Sequence, residues 1–198
     1  MKPITKLTQL DLSKRYSYAD YLTWQFTERV ELIKGWIMQM SPAPSSSHQS
    51  SSATIQGEMY SYFKKSSCQL FVAPFDVRLL DNKKSIKDEK VFTVVQPDVC
   101  VICDEKKIDE RGCIGAPDLI VEILSPGNSK HEMKTKYDLY EENEVREYWI
   151  ANPLEKNIML YVLKAKKYQL RKIYFDDEVI ESVIFKGLTI ELKDVFKA

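Results

Sequence analysis

The sequence predicts one α/β domain: a mixed β-sheet core flanked by helices, with a helix and hairpin before it and extra strands after it. Three observations predict this. Short apolar runs bounded by turn residues recur between residues 30 and 174, the mark of strands. Two segments, about 48–64 and 130–142, carry their apolar residues at helical spacing. The second of these lies between two apolar strand runs, and a crossover of that length brings the later strand into the same sheet in the parallel sense.

In order along the chain, Tyr18, Leu22 and Phe26 recur at helical spacing, with Tyr21 and Trp24 nearby, and predict a short helix. Val30–Ile33 and Trp36–Met40 flank Lys34-Gly35 and read as a hairpin. Residues 41–47 are Ser- and Pro-rich and form a loop, whose Ser45, Ser46 or Ser47 caps the next helix. That helix, about 48–64, carries Ile55, Met59, Tyr62 and Phe63. Leu70–Leu79 is a strand in which Pro74 marks an edge or a bulge. Val91–Cys103 contains a further strand, Asp118–Leu124 another, and Arg146–Ala151 a fourth, beyond the helix over Lys130–Glu142. Ile158–Leu163 and Tyr168–Tyr174 are two more, and 188–196 is left less defined. The domain spans 1–198, with its core at about 28–165.

Composition excludes several classes. The chain is 198 residues long, 44% hydrophobic and 29% charged, as in an ordinary folded domain. No stretch approaches the roughly 18 apolar residues of a membrane span, and no apolar leader follows Met1, so a cytoplasmic location is expected. Twenty-nine basic and twenty-nine acidic residues cancel, which argues against strong non-specific DNA binding but leaves room for a local patch. Lys83-Lys84, Lys130–Lys136 and Lys164–Lys167 are the candidates for one. Cys100 and Cys103 sit on a strand, where a three-residue spacing sends the sulfurs to opposite faces. They cannot share a metal, and core packing is the expected role of the cysteines.

The chemistry lies with acids in apolar strands. Asp98 is flanked by Val94, Val95, Val99 and Val101, and Glu122 stands within Leu119-Ile120-Val121 and Ile123-Leu124. A buried carboxylate needs a cation or a hydrogen-bonded partner. Two acids on adjacent strands would repel each other unless a divalent ion relieves them. Glu31, between Val30 and Leu32, raises the same question. Glu132, Lys136 and Tyr140 share one helical stripe, so Lys136 reads either as a residue aimed at Glu122 or as the solvated partner of Glu132. His48 at a helix start reads as a phosphate or water contact, or as a structural histidine.

Taken together, VELIKGWIMQMSPAPSSSHQ, FVAPFDVRLL, VVQPDVCVICD, GCIGAPDLIVEILSPGNS and KYDLYEENEVREYWIANP resemble the Uma family of restriction-endonuclease-like proteins, from about Glu31 to about Leu163. The resemblance implies a PD-(D/E)XK-type fold and a Mg²⁺ (or Mn²⁺) site. By that pattern Asp98 and Glu122 are metal ligands, Ile123 lends its backbone carbonyl, and Glu31 and His48 match the family's N-terminal acid and histidine. The superfamily lysine would fall at Leu124 and is absent; Lys136 on the following helix is the match. The family's usual Gly before VREYWI is replaced by Glu144. The implied activity is endonucleolytic hydrolysis of DNA phosphodiesters, with Lys136 and His48 positioning the water and a homodimer serving two strands. Neutral charge and the missing in-line lysine favour an alternative, a weakly active or inactive nucleic-acid-binding or assembly protein that kept the fold. A metal hydrolase of a smaller phosphate ester is a third reading, which would require a closed pocket.

Overall fold

A computed structural model of the chain describes residues 3–40, 45–80, 85–126 and 130–197. The strands are β1 (Val30–Ile33), β2 (Trp36–Gln39), β3 (Gln69–Val72), β4 (Val77–Leu79), β5 (Thr93–Val95), β6 (Val99–Ile102), β7 (Ile108–Asp109), β8 (Gly112–Ile114) and β9 (Leu119–Ile123). After them come β10 (Glu147–Asn152), β11 (Asn157–Lys164), β12 (Lys167–Phe175), β13 (Val179–Glu181) and β14 (Thr189–Glu191). The helices are α1 (Tyr18–Tyr21), α2 (Ser46–Phe63), α3 (Lys130–Glu142) and α4 (Leu192–Val195).

The core is a pair of six-stranded sheets, ordered β2-β1-β5-β4-β8-β7 and β12-β11-β10-β9-β6-β3, with β13 and β14 as a separate hairpin. β9 and β10 pair in parallel across α3, as the crossover predicted. Both are covered on each face, which explains their nearly unbroken apolar runs. On one face of the second sheet, Ile55, Met59 and Phe63 of α2 pack with Val121, Trp149 and the C-terminal elements. On the other, Leu139 and Tyr140 of α3 pack with Ile120, Tyr148 and Ile150 and with Val77, Leu79 and Val95 of the first sheet.

Two of the expected strands change. The runs 70–79 and 91–103 each split in half, and each half joins a different sheet: β3 and β6 the second, β4 and β5 the first. The strand pattern persists through both halves, so period alone does not reveal the crossing; cis-Pro74 and Pro97 stand in the two breaks. The breaks lie side by side, with the Ala73 amide donating to the Asp98 carbonyl at 3.2 Å. Asp98 therefore lies in the crossing just before β6, not inside a strand as expected.

The aromatic N-terminal segment forms only the four-residue α1, capped by Ser17, rather than a helix to Phe26. Ser45 caps α2, its hydroxyl accepting from the His48 amide. The rest of the 41–47 loop, 41–44, and Lys83-Lys84 lie outside the described residues. Cys100 is buried and free, on the face opposite Cys103 as its spacing required. Cys103, expected only to pack, is disulfide-bonded to Cys68 beside the β3–β6 pairing. No helix among the described residues is long and apolar enough to cross a membrane.

Candidate active site

The two crossings bring acids from both sheets to one place. β6 and β9 are antiparallel, with Val99 opposite Val121; one step further, Asp98 comes opposite Glu122, so both side chains share the face that α3 covers. The Ile123 amide donates to Asp98 Oδ2 at 2.7 Å. Glu31 arrives from β1 in the other sheet and is only 2% exposed. Its Oε1 accepts from the Gln96 amide at 2.8 Å, a bond that ties Glu31 to the segment carrying Asp98.

Lys136 closes the cluster. Its Nζ lies 2.9 Å from Glu122 Oε1 and 3.1 Å from Glu31 Oε1. It is 8% exposed, so the solvated pairing with Glu132 is not its arrangement. One turn on, the Tyr140 hydroxyl donates to the same Glu122 oxygen at 2.6 Å. His48, from the first turn of α2, sets Nε2 3.4 Å from Asp98 Oδ2. Its Nδ1 is buried and has no hydrogen-bond partner among the described residues.

Burial pushes the Glu122 carboxyl up to about 7, against the pull of the Lys136 ammonium and with the push of Asp98 and Glu31. Burial works against the charge on Lys136, but Glu122 and Glu31 outweigh it and hold the ammonium firmly protonated. Burial likewise opposes charging of His48, and the bond to Asp98, helped by the Ile123 carbonyl and Glu122, overrides it and raises its pKa. Three carboxyls outnumber the one permanent ammonium, and the raised Glu122 and His48 mark a place where a further positive charge is favoured.

Among the described residues no group of three His, Cys, Asp or Glu side chains forms a ready metal cage. Mg²⁺ does not require one, since it keeps several waters and takes one or two carboxylates. Asp98, Glu122 and the Ile123 carbonyl supply oxygens of that kind. Beside them, a cleft of about 30 Å³ lined by Glu122, Ile123, Glu132 and Lys136 has room for one or two waters. The donor set therefore fits a hard divalent ion.

All the residues expected from the sequence are brought together: Asp98, Glu122, Ile123, Lys136, His48 and Glu31 form one linked group. Two partners were missed. Tyr140 lies one turn from Lys136 on the stripe already noted, and that spacing was its signal; Gln96, which binds Glu31 through its backbone, left none. The expected basic patch is largely self-neutralised where it is described: Lys134 pairs with Asp138, Lys166 with Glu144 and Lys167 with Glu141.

The family model described as "Uma2: Putative restriction endonuclease" matches residues 18–193. The chain belongs to this family. No curated protein matches the sequence. Among solved structures, a DUF820 protein from Anabaena variabilis, titled a "putative nuclease", is similar with a TM-score of 0.70 at 20% identity, over 91% of this chain and 97% of that one. At that identity the likeness speaks for the fold, a nuclease-type mixed α/β architecture. In this Uma2-family member, the linked acids and Lys136 stand within the matched span.

Proposed function

We propose that this Uma2-family chain is a divalent-metal-dependent endonuclease that hydrolyses phosphodiester bonds of DNA. The observation that carries the reading is the convergence of Glu31 and Glu122, from two sheets, on the single ammonium of Lys136, with Asp98 held beside Glu122 by the Ile123 amide. Asp98, Glu122 and the Ile123 carbonyl would hold Mg²⁺ or Mn²⁺. When bound, the ion supplies charge neutralisation at the phosphate and makes water more acidic. Lys136 holds Glu122 in place and presents positive charge to the oxyanion, a role that favours the transition state over the ground state. His48, with Nε2 on Asp98, orients that carboxylate and stands ready to exchange a proton with water. Glu31 fixes Lys136 from the opposite sheet. The reading carries a cytoplasmic enzyme acting as a homodimer, since two symmetric sites serve two antiparallel strands.

The competing reading, a nucleic-acid-binding protein with little activity, draws on one further feature: Glu31 and Glu122 already occupy the Lys136 ammonium. A titration of Mg²⁺ and Mn²⁺ by calorimetry, in parallel with plasmid nicking, separates the two. Wild type should bind metal and nick, and an Asp98→Ala/Glu122→Ala double variant should do neither. Metal binding without nicking would move the reading to another phosphoester or to the binding protein. Absence of metal binding in the wild type would sink it.

A further inference from the structure

Beside the acid cluster lies a second concavity, of about 360 Å³, within the size range of small-ligand pockets. Its wall is the N-terminal aromatic segment: Tyr21, Trp24 and Phe26 line it together with Arg29, Pro74 and Gln96. Tyr21 and Trp24 stand 5.5 Å apart between ring centroids, and Trp24 and Phe26, nearly parallel, 5.6 Å apart. All three rings are only half-buried, unlike Tyr18 beneath them. Tyr21 and Trp24 pack against the small core cluster around Tyr18 and Leu32, yet both, like Phe26, stay partly accessible.

The pocket adjoins the acid cluster through three of its lining residues. Gln96 lines the pocket, and its backbone amide donates to Glu31. Pro74 belongs to the crossing whose Ala73 amide is bonded to the Asp98 carbonyl. Val30, another lining residue, precedes Glu31. Arg29 is held at the rim, its Nη2 donating to Gln96 Oε1 at 2.8 Å, and Glu28 beside it adds an acceptor.

We propose that this pocket receives one unstacked nucleobase of the strand whose phosphate lies at Asp98 and Glu122, so that the substrate is a single-stranded or locally opened nucleic acid. The inference rests on the nuclease reading and specifies its substrate. Aromatic faces bind bases of any identity by stacking. Glu28 and Arg29 offer an acceptor and a donor to a base edge. The contact takes little from bulk electrostatics, in keeping with a chain of zero net charge.

The test uses the wild-type chain in EDTA, so that binding is read without cleavage, and a short single-stranded oligonucleotide carrying one 2-aminopurine. Binding should quench the 2-aminopurine. Trp24→Ala should weaken affinity by about tenfold and restore the emission, the scale of one lost base stack. Trp24→Phe should keep most of both, which excludes misfolding as the cause, and Arg29→Ala at the exposed rim should weaken binding about threefold. Undiminished binding to Trp24→Ala, with the 2-aminopurine quenched as in wild type, would overturn the pocket while leaving plasmid nicking, and the nuclease reading, intact. No binding of the oligonucleotide to wild type would also overturn it, and the nicking assay then tells whether the nuclease reading falls too.

Discussion

One ammonium shared by acids from different sheets makes Lys136 the residue whose loss is felt most widely. Lys136→Met leaves Glu31 and Glu122 buried without their cation, and in metal-free protein this should cost about 3–5 kcal/mol. Millimolar Mg²⁺ should restore part of it, and urea midpoints with and without the ion provide the check; no recovery would argue that no ion enters the cluster. The pH dependence follows from Glu122 and His48. The folded pKa of Glu122 lies above its unfolded value, at about 7, so its share of stability is present below the ordinary carboxyl range and lost as pH rises through about 7. His48, also raised, acts in the same sense. Metal binding, which requires the carboxylate, runs the other way and should tighten as pH rises through about 7. Calorimetry across that range should show the trend, and Glu122→Gln should flatten it. At this scale Asp98 and Glu122 were legible, because an ionisable group amid apolar neighbours demands a partner, whereas Lys136, set among polar residues, was assigned only by the family resemblance. Which partner each takes was not, since Glu31 and Lys136 meet across 105 residues of sequence.

At the scale of elements, the two crossings show where period-2 reasoning stops. Alternation fixes which side chains share a face, but not which sheet receives the strand; that is decided by pairing with β1 and β9, far away in sequence. α3 was legible because its stripe is long, whereas the short α1 was overestimated because aromatic spacing persists beyond its last turn. After α3, Glu144 adopts φ +61°, the left-handed conformation that glycine accepts most readily and that explains the usual Gly there. Glu144→Gly should therefore stabilise the fold by about 0.5–1 kcal/mol, the strain relieved less the entropy added to the unfolded chain. A raised denaturation midpoint is the measurement. The Cys68–Cys103 bond closes a separation of 35 residues, which by loop-closure entropy contributes about 4 kcal/mol. Unfolded without reductant, the chain should titrate only two thiols, Cys100 and Cys113; four reactive thiols would contradict the bond.

For the molecule as a whole, zero net charge and paired surface lysines set the ionic response. Few phosphates can be neutralised, so the slope of log affinity for DNA against log salt should be no steeper than about −3, measured by anisotropy between roughly 50 and 200 mM salt. A steep slope would point to a basic surface contributed elsewhere, such as by a second copy of the chain. The overall class and its family resemblance were legible from five separate segments. The division into two sheets was not, because it exists only in the pairing of strands.

That division has a consequence for the chain before it is finished folding. Asp98 and Glu122 belong to one sheet, Glu31 to the other, and Lys136 to the helix pressed between them. A molecule with either sheet unformed holds an incomplete set of charges. If the cluster cuts DNA as proposed, newly made or damaged copies would be harmless to the DNA around them, and competence would wait until both sheets and α3 have docked.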